Sequence, residues 1–128
     1  MAGWEEVRRL ALALPETNER SSREQAQWRV KDKLFVWERP LRAKEVEELG
    51  PLAPAGPVLG ARVEHLLAKE ALLADDPGVF FTTSHFDNVA AVLVRLDAID
   101  EQTLEEVVVE AWLARAPERL ARQWLERR

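Results

Sequence analysis

Trp4, Val7, Leu10, Ala11 and Leu14 recur at the spacing of one helical face, Glu5 and Glu6 sit at the positive end of the helix dipole, and Pro15 ends the run. The pattern predicts a first helix. Residues 16–24 contain no apolar side chain and read as an exposed connection. Residues 25–30 and 33–38 then alternate around Lys31-Asp32, which predicts a hairpin, although Lys-Asp is not a favoured pair for a two-residue turn. Such a turn sets Trp28 opposite Phe35 and Ala26 opposite Trp37 on one face, with Gln27, Arg29, Leu34 and Val36 on the other.

Arg39-Pro40 ends this strand, residues 43–49 form two turns of helix closed by Gly50, and Pro51, Pro54, Gly56 and Pro57 mark a loop. Residues 58–63 read as a short strand and 64–74 as a helix, with Leu66, Leu67, Ala71 and Leu73 available for burial. Asp75-Asp76-Pro77-Gly78 makes a turn. Strands are predicted at 79–82 and 90–96, the second with an apolar run that suits a central position. Asp100 caps a helix over 101–115 with Leu104, Val107, Val108, Ala111 and Trp112 inward, and Pro117 opens another helix. The fold class expected is α+β: an antiparallel sheet of about five strands packed by an N-terminal helix and C-terminal helices. At 128 residues, one domain is expected.

Hydrophobic residues make up 47% and charged residues 32%, and no apolar run approaches the roughly 20 residues of a membrane span. The start, MAGWEEVRR, lacks the apolar core of an export signal, so a cytoplasmic location is expected. With no cysteine and only His65 and His85, thiolate zinc sites are excluded; no metal and no cofactor is expected. A net charge of -5 argues against a chain coated in base for nucleic acid. The C-terminal end is nevertheless locally basic: Arg115, Arg119, Arg122, Arg127 and Arg128 stand against Glu118 and Glu126. Arg115, Arg119 and Arg122 form one stripe if the helix is continuous.

The stretch VFFTTSHFD places Ser84, His85 and Asp87 together after an apolar run. A catalytic triad needs its members to converge in space, which neighbours on a short loop seldom do. The bland reading is a hairpin: Phe80 and Phe81 in a core strand, Thr82, Thr83 and Asp87 satisfying loop backbone, and His85 exposed at the tip. No Gly-rich phosphate loop and no H-E-x-x-H motif is present, and no enzyme is expected; His85 would be the one general base near neutral pH. Trp4, Trp28 and Trp112 fall on faces that periodicity turns inward.

In order along the chain, ALALPET, WRVKDKLF, VFFTTSHFD, AVLVRLDAID and EAWLARAPERLA resemble the MmcQ/YjbR-like family over residues 7–125. The resemblance implies an α+β "double wing" with a DNA-binding label that rests on fold, and a likeness to secretion-chaperone-like folds. Many members carry Ser-Tyr where this chain has Ala111-Trp112, and close ones an aromatic and a proline where it has Val89-Ala90. Two kinds of partner follow. DNA would meet Arg29, Lys31 and Lys33 in the first wing, assisted by the Arg115, Arg119 and Arg122 stripe, with His85 and Phe86 as candidates for nucleic acid or another partner. A protein or peptide would instead use Trp37, Phe86 and Trp124. The oligomeric state is left open.

Overall fold

The computed structural model describes residues 2–127. In chain order its elements are α1 (Trp4–Leu12), β1 (Thr17–Ser22), β2 (Gln25–Val30), β3 (Lys33–Glu38), α2 (Ala43–Leu49), β4 (Val58–Arg62), α3 (Leu66–Asp75), β5 (Phe80–Phe81), β6 (Ala91–Arg95), α4 (Glu101–Arg115) and α5 (Glu118–Glu126). The strands form one antiparallel sheet in the order β1-β2-β3-β4-β6-β5. The α+β class stands, with six strands in place of about five. No described helix is long and apolar enough to cross a membrane.

The sixth strand is β1, where an exposed connection was expected. It lies at the sheet edge, pairs from Thr17↔Val30 to Ser22↔Gln25, and needs only its backbone to do so. Two tight turns enclose β2. Arg23 and Glu24 (φ 53 and 66) make the first, and Lys31 and Asp32 (φ 49 and 68) the second. Positive φ at both central residues matches the twist of the strands, so turn geometry overrides the usual preference for Asn-Gly.

The β2–β3 register differs from the simple hairpin, and the difference matters. Val30↔Lys33 and Arg29↔Leu34 pair as a two-residue turn requires, but a bulge follows, giving Trp28↔Val36 and Gln27↔Trp37. Phe35 is the extra residue. Phe35 and Val36 are therefore both fully buried on the face that holds Trp28, while Trp37 turns to the other face beside Gln27. The expected pairs Trp28/Phe35 and Ala26/Trp37 do not form.

One face of the sheet carries the main core. Val7, Leu10 and Ala11 of α1 and Leu104, Val108, Ala111 and Trp112 of α4 pack on Trp28, Val30, Val36, Leu59, Val92 and Val94. Trp112 Nε1 donates to the Pro15 carbonyl at 3.1 Å, tying α4 to the end of α1. The second face is covered over only part of its width, where Val58, Phe81, Phe86, Ala91 and Leu93 cluster with Leu41 and Leu49.

Two expectations about helices hold only in part. Leu66, Leu67 and Ala71 of α3 are exposed, Leu73 packs on the main core with Ala68 and Leu72, and the α3 residue buried outright is Lys69, at 6%. The loop beneath α3 presents carbonyls, and an ammonium satisfies them where a leucine could not. At the other end α4 stops at Arg115, since Ala116 is extended (ψ 145) ahead of Pro117, and α5 starts afresh. The continuous arginine stripe is thus broken.

Candidate nucleic-acid interface

The VFFTTSHFD segment is held down from two sides. Glu45 of α2 accepts bidentate hydrogen bonds from Arg39 Nη1 and Nη2, both at 2.9 Å, one from the Arg42 amide at 2.9 Å and one from the Thr83 hydroxyl at 2.8 Å. Burial alone would raise the Glu45 pKa; these hydrogen bonds and the Arg39 charge outweigh it and bring the value down to about 2. Glu48 accepts from the Ser84 amide and hydroxyl at 2.9 and 2.8 Å. From the opposite side Lys69 Nζ donates to the carbonyls of Phe86 and Val89 at 2.6 and 3.1 Å. Burial lowers the Lys69 pKa, and the Asp87 charge acts against that shift.

The segment is therefore a clamped loop, with a single 3-10 turn at Ser84–Phe86. The Ser84 hydroxyl points to Glu48 and the His85 ring meets Phe86 edge-on at 5.0 Å, so serine and histidine do not converge as a triad. His85 is exposed, as expected for the tip. Phe86, expected as a contact residue, is 7% exposed and packs into the second cluster under Arg39, whose guanidinium carbon lies 5.2 Å from its ring centroid. Thr83 serves a carboxylate and not the loop backbone.

The wing does not present one basic face. Directly paired residues share a face and neighbours alternate, so Arg29, opposite Leu34, and Lys33, opposite Val30, point to opposite sides of the sheet. Lys31 pairs with Glu16 at 3.3 Å, and Arg20 pairs with Asp32. Of the wing's three basic residues, Lys31 alone is ion-paired among the described residues, and Lys33 stays exposed. Of the C-terminal arginines, Arg122 pairs with Glu118 at 2.9 Å, and Arg119 is exposed on α5.

What remains is the uncovered half of the second sheet face, over β2, β3 and the end of β4. The bulge delivers Trp37 here, half-buried, with its indole lying across Gly60 of the next strand. A Cβ at Gly60 would stand 2.4 Å from Trp37 Cε2, so the close approach requires glycine. Arg62, two residues on and on the same face, places its guanidinium carbon 5.7 Å from the Trp37 centroid. Arg29 lies on this face too, donating to Gln27 Oε1 at 2.8 Å and the Asp32 carbonyl at 3.0 Å.

Arg62 and Arg115 have no carboxylate within ion-pair distance among the described residues. The Nε atoms of Arg29, Arg62 and Arg115 are shielded from solvent without a hydrogen-bond partner among those residues. Burial first, and the Arg115 charge second, lower the Arg62 pKa. A half-buried guanidinium whose charged neighbour is another guanidinium is a costly arrangement that an anion would relieve. On the helix side, Arg62 borders a cleft of about 700 Å³ between α3 and α4, floored by Val63, Leu72, Phe80 and Val107. Asp75, Asp76, Glu105, Glu106 and Glu110 rim it, none of them ion-paired with a described residue. Five acids thus rim the cleft, while Arg29 and Arg62 lie on the open face.

Sequence reasoning missed Arg62 and the role of Trp37. The usable signal was VLGARV, where an arginine and a glycine share the alternate face of an otherwise apolar strand.

The YjbR family model matches residues 12–114. Uncharacterized protein Rv2570 of Mycobacterium tuberculosis and Uncharacterized protein Mb2600 of Mycobacterium bovis are each 47% identical to this chain over 128 residues, covering 98% of it and 97% of their own length. The crystal structure of Deinococcus radiodurans protein DR2400, a DUF419 domain, superposes with a TM-score of 0.65 at 18% identity, over 88% of this chain and 78% of that one, a likeness of fold. On the strength of a match that spans most of its length, this chain belongs to the YjbR family.

Proposed function

We propose that the chain is a cytoplasmic nucleic-acid-binding domain, with DNA the partner its family resemblance suggests, and that contact is made through the open sheet face and its basic end. The observation that carries this reading is the pair Arg62 and Arg115, partly buried and without acidic partners among the described residues, with Arg62 set against the partly buried Trp37. Arginine forks match phosphate oxygens, and phosphate contacts release counterions. The net charge of -5 is compatible with this because Arg62 and Arg115 have no carboxylate at ion-pair distance among the described residues, and five of the acids rim the α3–α4 cleft on the helix side of the sheet.

Titration of fluorescently labelled oligonucleotides at about 50 and 200 mM salt tests it, since affinity should fall steeply across that range. Arg62→Ala with Arg115→Ala should weaken binding at least about tenfold and reduce the salt slope by roughly 1 to 2, whereas Arg122→Ala, already paired with Glu118, should change little. Unchanged affinity in the double variant overturns the reading.

A second reading is favoured by the cleft itself. An apolar floor under five unpaired carboxylates suits a basic protein or peptide segment, in line with the likeness to chaperone-like folds. It replaces the expected surface of Trp37, Phe86 and Trp124, because Phe86 is buried and Trp124 packs on Trp112 at 5.4 Å between centroids.

The close fit of Trp37 on Gly60 gives its own prediction. Gly60→Ala should cost about 1–3 kcal/mol in urea melts, because the indole has to move off the sheet. In a Trp37→Ala background the same substitution should cost almost nothing. A penalty that persists without the indole would mean that the strand backbone, and not Trp37, requires glycine.

A further inference from the structure

Resting on the nucleic-acid reading, we infer that the open sheet face takes a single strand, stacking an unpaired base on Trp37 while the flanking phosphates lie against Arg62 and Arg29. The placement follows from the register. Trp37 pairs across to Gly60 and Gln27, so one side of its ring rests on glycine and the ring lies along the sheet. Arg29 on β2 and Arg62 on β4 stand on this same face two strands apart, roughly 10 Å, in the row beside the indole. Two guanidiniums bracketing a flat aromatic on an uncovered sheet combine a backbone track with a stacking platform. Every base has a π-face, so such a platform tolerates any sequence.

A duplex cannot use this arrangement. Its bases are stacked on one another, and a major groove admits a helix or a narrow two-stranded ribbon, not the broad face of a sheet. The ribbon that could enter a groove is the β2–β3 hairpin, and of its three basic residues Lys31 is paired with Glu16 while Arg29 and Lys33 point to opposite faces of the sheet, so it offers a groove no single basic side. Trp37 is only partly buried, and Arg62, its guanidinium carbon 5.7 Å from the ring centroid, is placed to close over the far side of a base that enters beside the indole.

The experiment uses the full chain and four labelled probes: a 12-nucleotide thymidine strand, a 12-nucleotide mixed-sequence strand, the duplex of that mixed sequence, and an abasic strand of equal length. Anisotropy titrations should give at least tenfold tighter binding of both single strands than of the duplex. Trp37→Ala should weaken single-strand binding about 5- to 100-fold, and Trp37→Phe should retain part of it. Neither variant should change binding of the abasic strand, which keeps phosphates but offers no base. Arg62→Ala should weaken all four probes. Urea melts of each variant establish that it is folded. Duplex binding as tight as single-strand binding, with Trp37→Ala and Trp37→Phe both at the parent's affinity, overturns this inference and leaves the nucleic-acid reading in place. Absence of binding to any probe at low salt overturns both.

Discussion

Replacing Glu45 with alanine is expected to destabilise the protein by about 3–5 kcal/mol, the usual cost of removing one member of a buried ion pair. The Glu45 side chain is 5% exposed and that of Arg39 10%. Four donors converge on this one carboxylate: both terminal nitrogens of Arg39, the Arg42 amide and the Thr83 hydroxyl. Its loss leaves the Arg39 guanidinium buried over the Phe86 ring with, among the described residues, only the Pro40 carbonyl to accept from it. Glu45→Gln keeps the shape and some acceptors, and should fall between parent and alanine. The same carboxylate sets an acid limit. Its folded pKa of about 2 lies below the ordinary 4.5, so the folded state holds fewer protons than the unfolded state between those values. Its stabilisation is complete above about pH 4.5 and is lost as pH falls to about 2, a contribution on the order of 3 kcal/mol. Urea melts of parent and Glu45→Gln from pH 6 down to 2.5 check this. Parallel curves for the two proteins across that range would show that another group carries the acid sensitivity.

The clamp explains why parts of this fold were legible in the sequence and others not. Helices α1 and α4 follow from a 3.6-residue apolar period because each packs one stripe on a sheet, and β2, β3, β4 and β6 follow from apolar alternation or runs for the same reason. β1 carries no apolar residue, and the first turn of α3 turns Leu66 and Leu67 outward with Lys69 inward, so the pattern that periodicity reads is missing in the one and interrupted in the other. Lys69 is inside because the carbonyls of Phe86 and Val89 need donors, and no local pattern announces a partner 17 or 20 residues away. The candidate surface divides likewise. Arg29 and Arg115 stand out in the sequence as basic residues. Trp37 reaches the open face only through a bulge at Trp28/Arg29, and Arg62 gains meaning only from lying beside it. Lys31 stands out as a basic wing residue in the sequence because Glu16, which pairs with it, meets it only once the strands have paired.

Within VFFTTSHFD the same logic separates residues that differ little in prominence. Phe80→Ala is expected to cost about 3–5 kcal/mol, and His85→Ala no more than about half a kcal/mol. Phe80 is 3% exposed and belongs to the main core, and it pairs with Val94 of the central β6 in a strand of only two residues. Truncation opens a cavity that so short a strand cannot close without losing its pairing. His85 is exposed, and no described hydrogen bond holds it; its one described contact is the edge of the Phe86 ring. Its neighbours Thr83 and Ser84 are fixed by Glu45 and Glu48, and the Phe86 carbonyl by Lys69, so the loop keeps its path when the imidazole is removed. Paired urea melts at pH 7 measure both. A His85→Ala variant that melts as early as Phe80→Ala would mean that the imidazole, and not the two-sided clamp around it, holds the second hairpin in place.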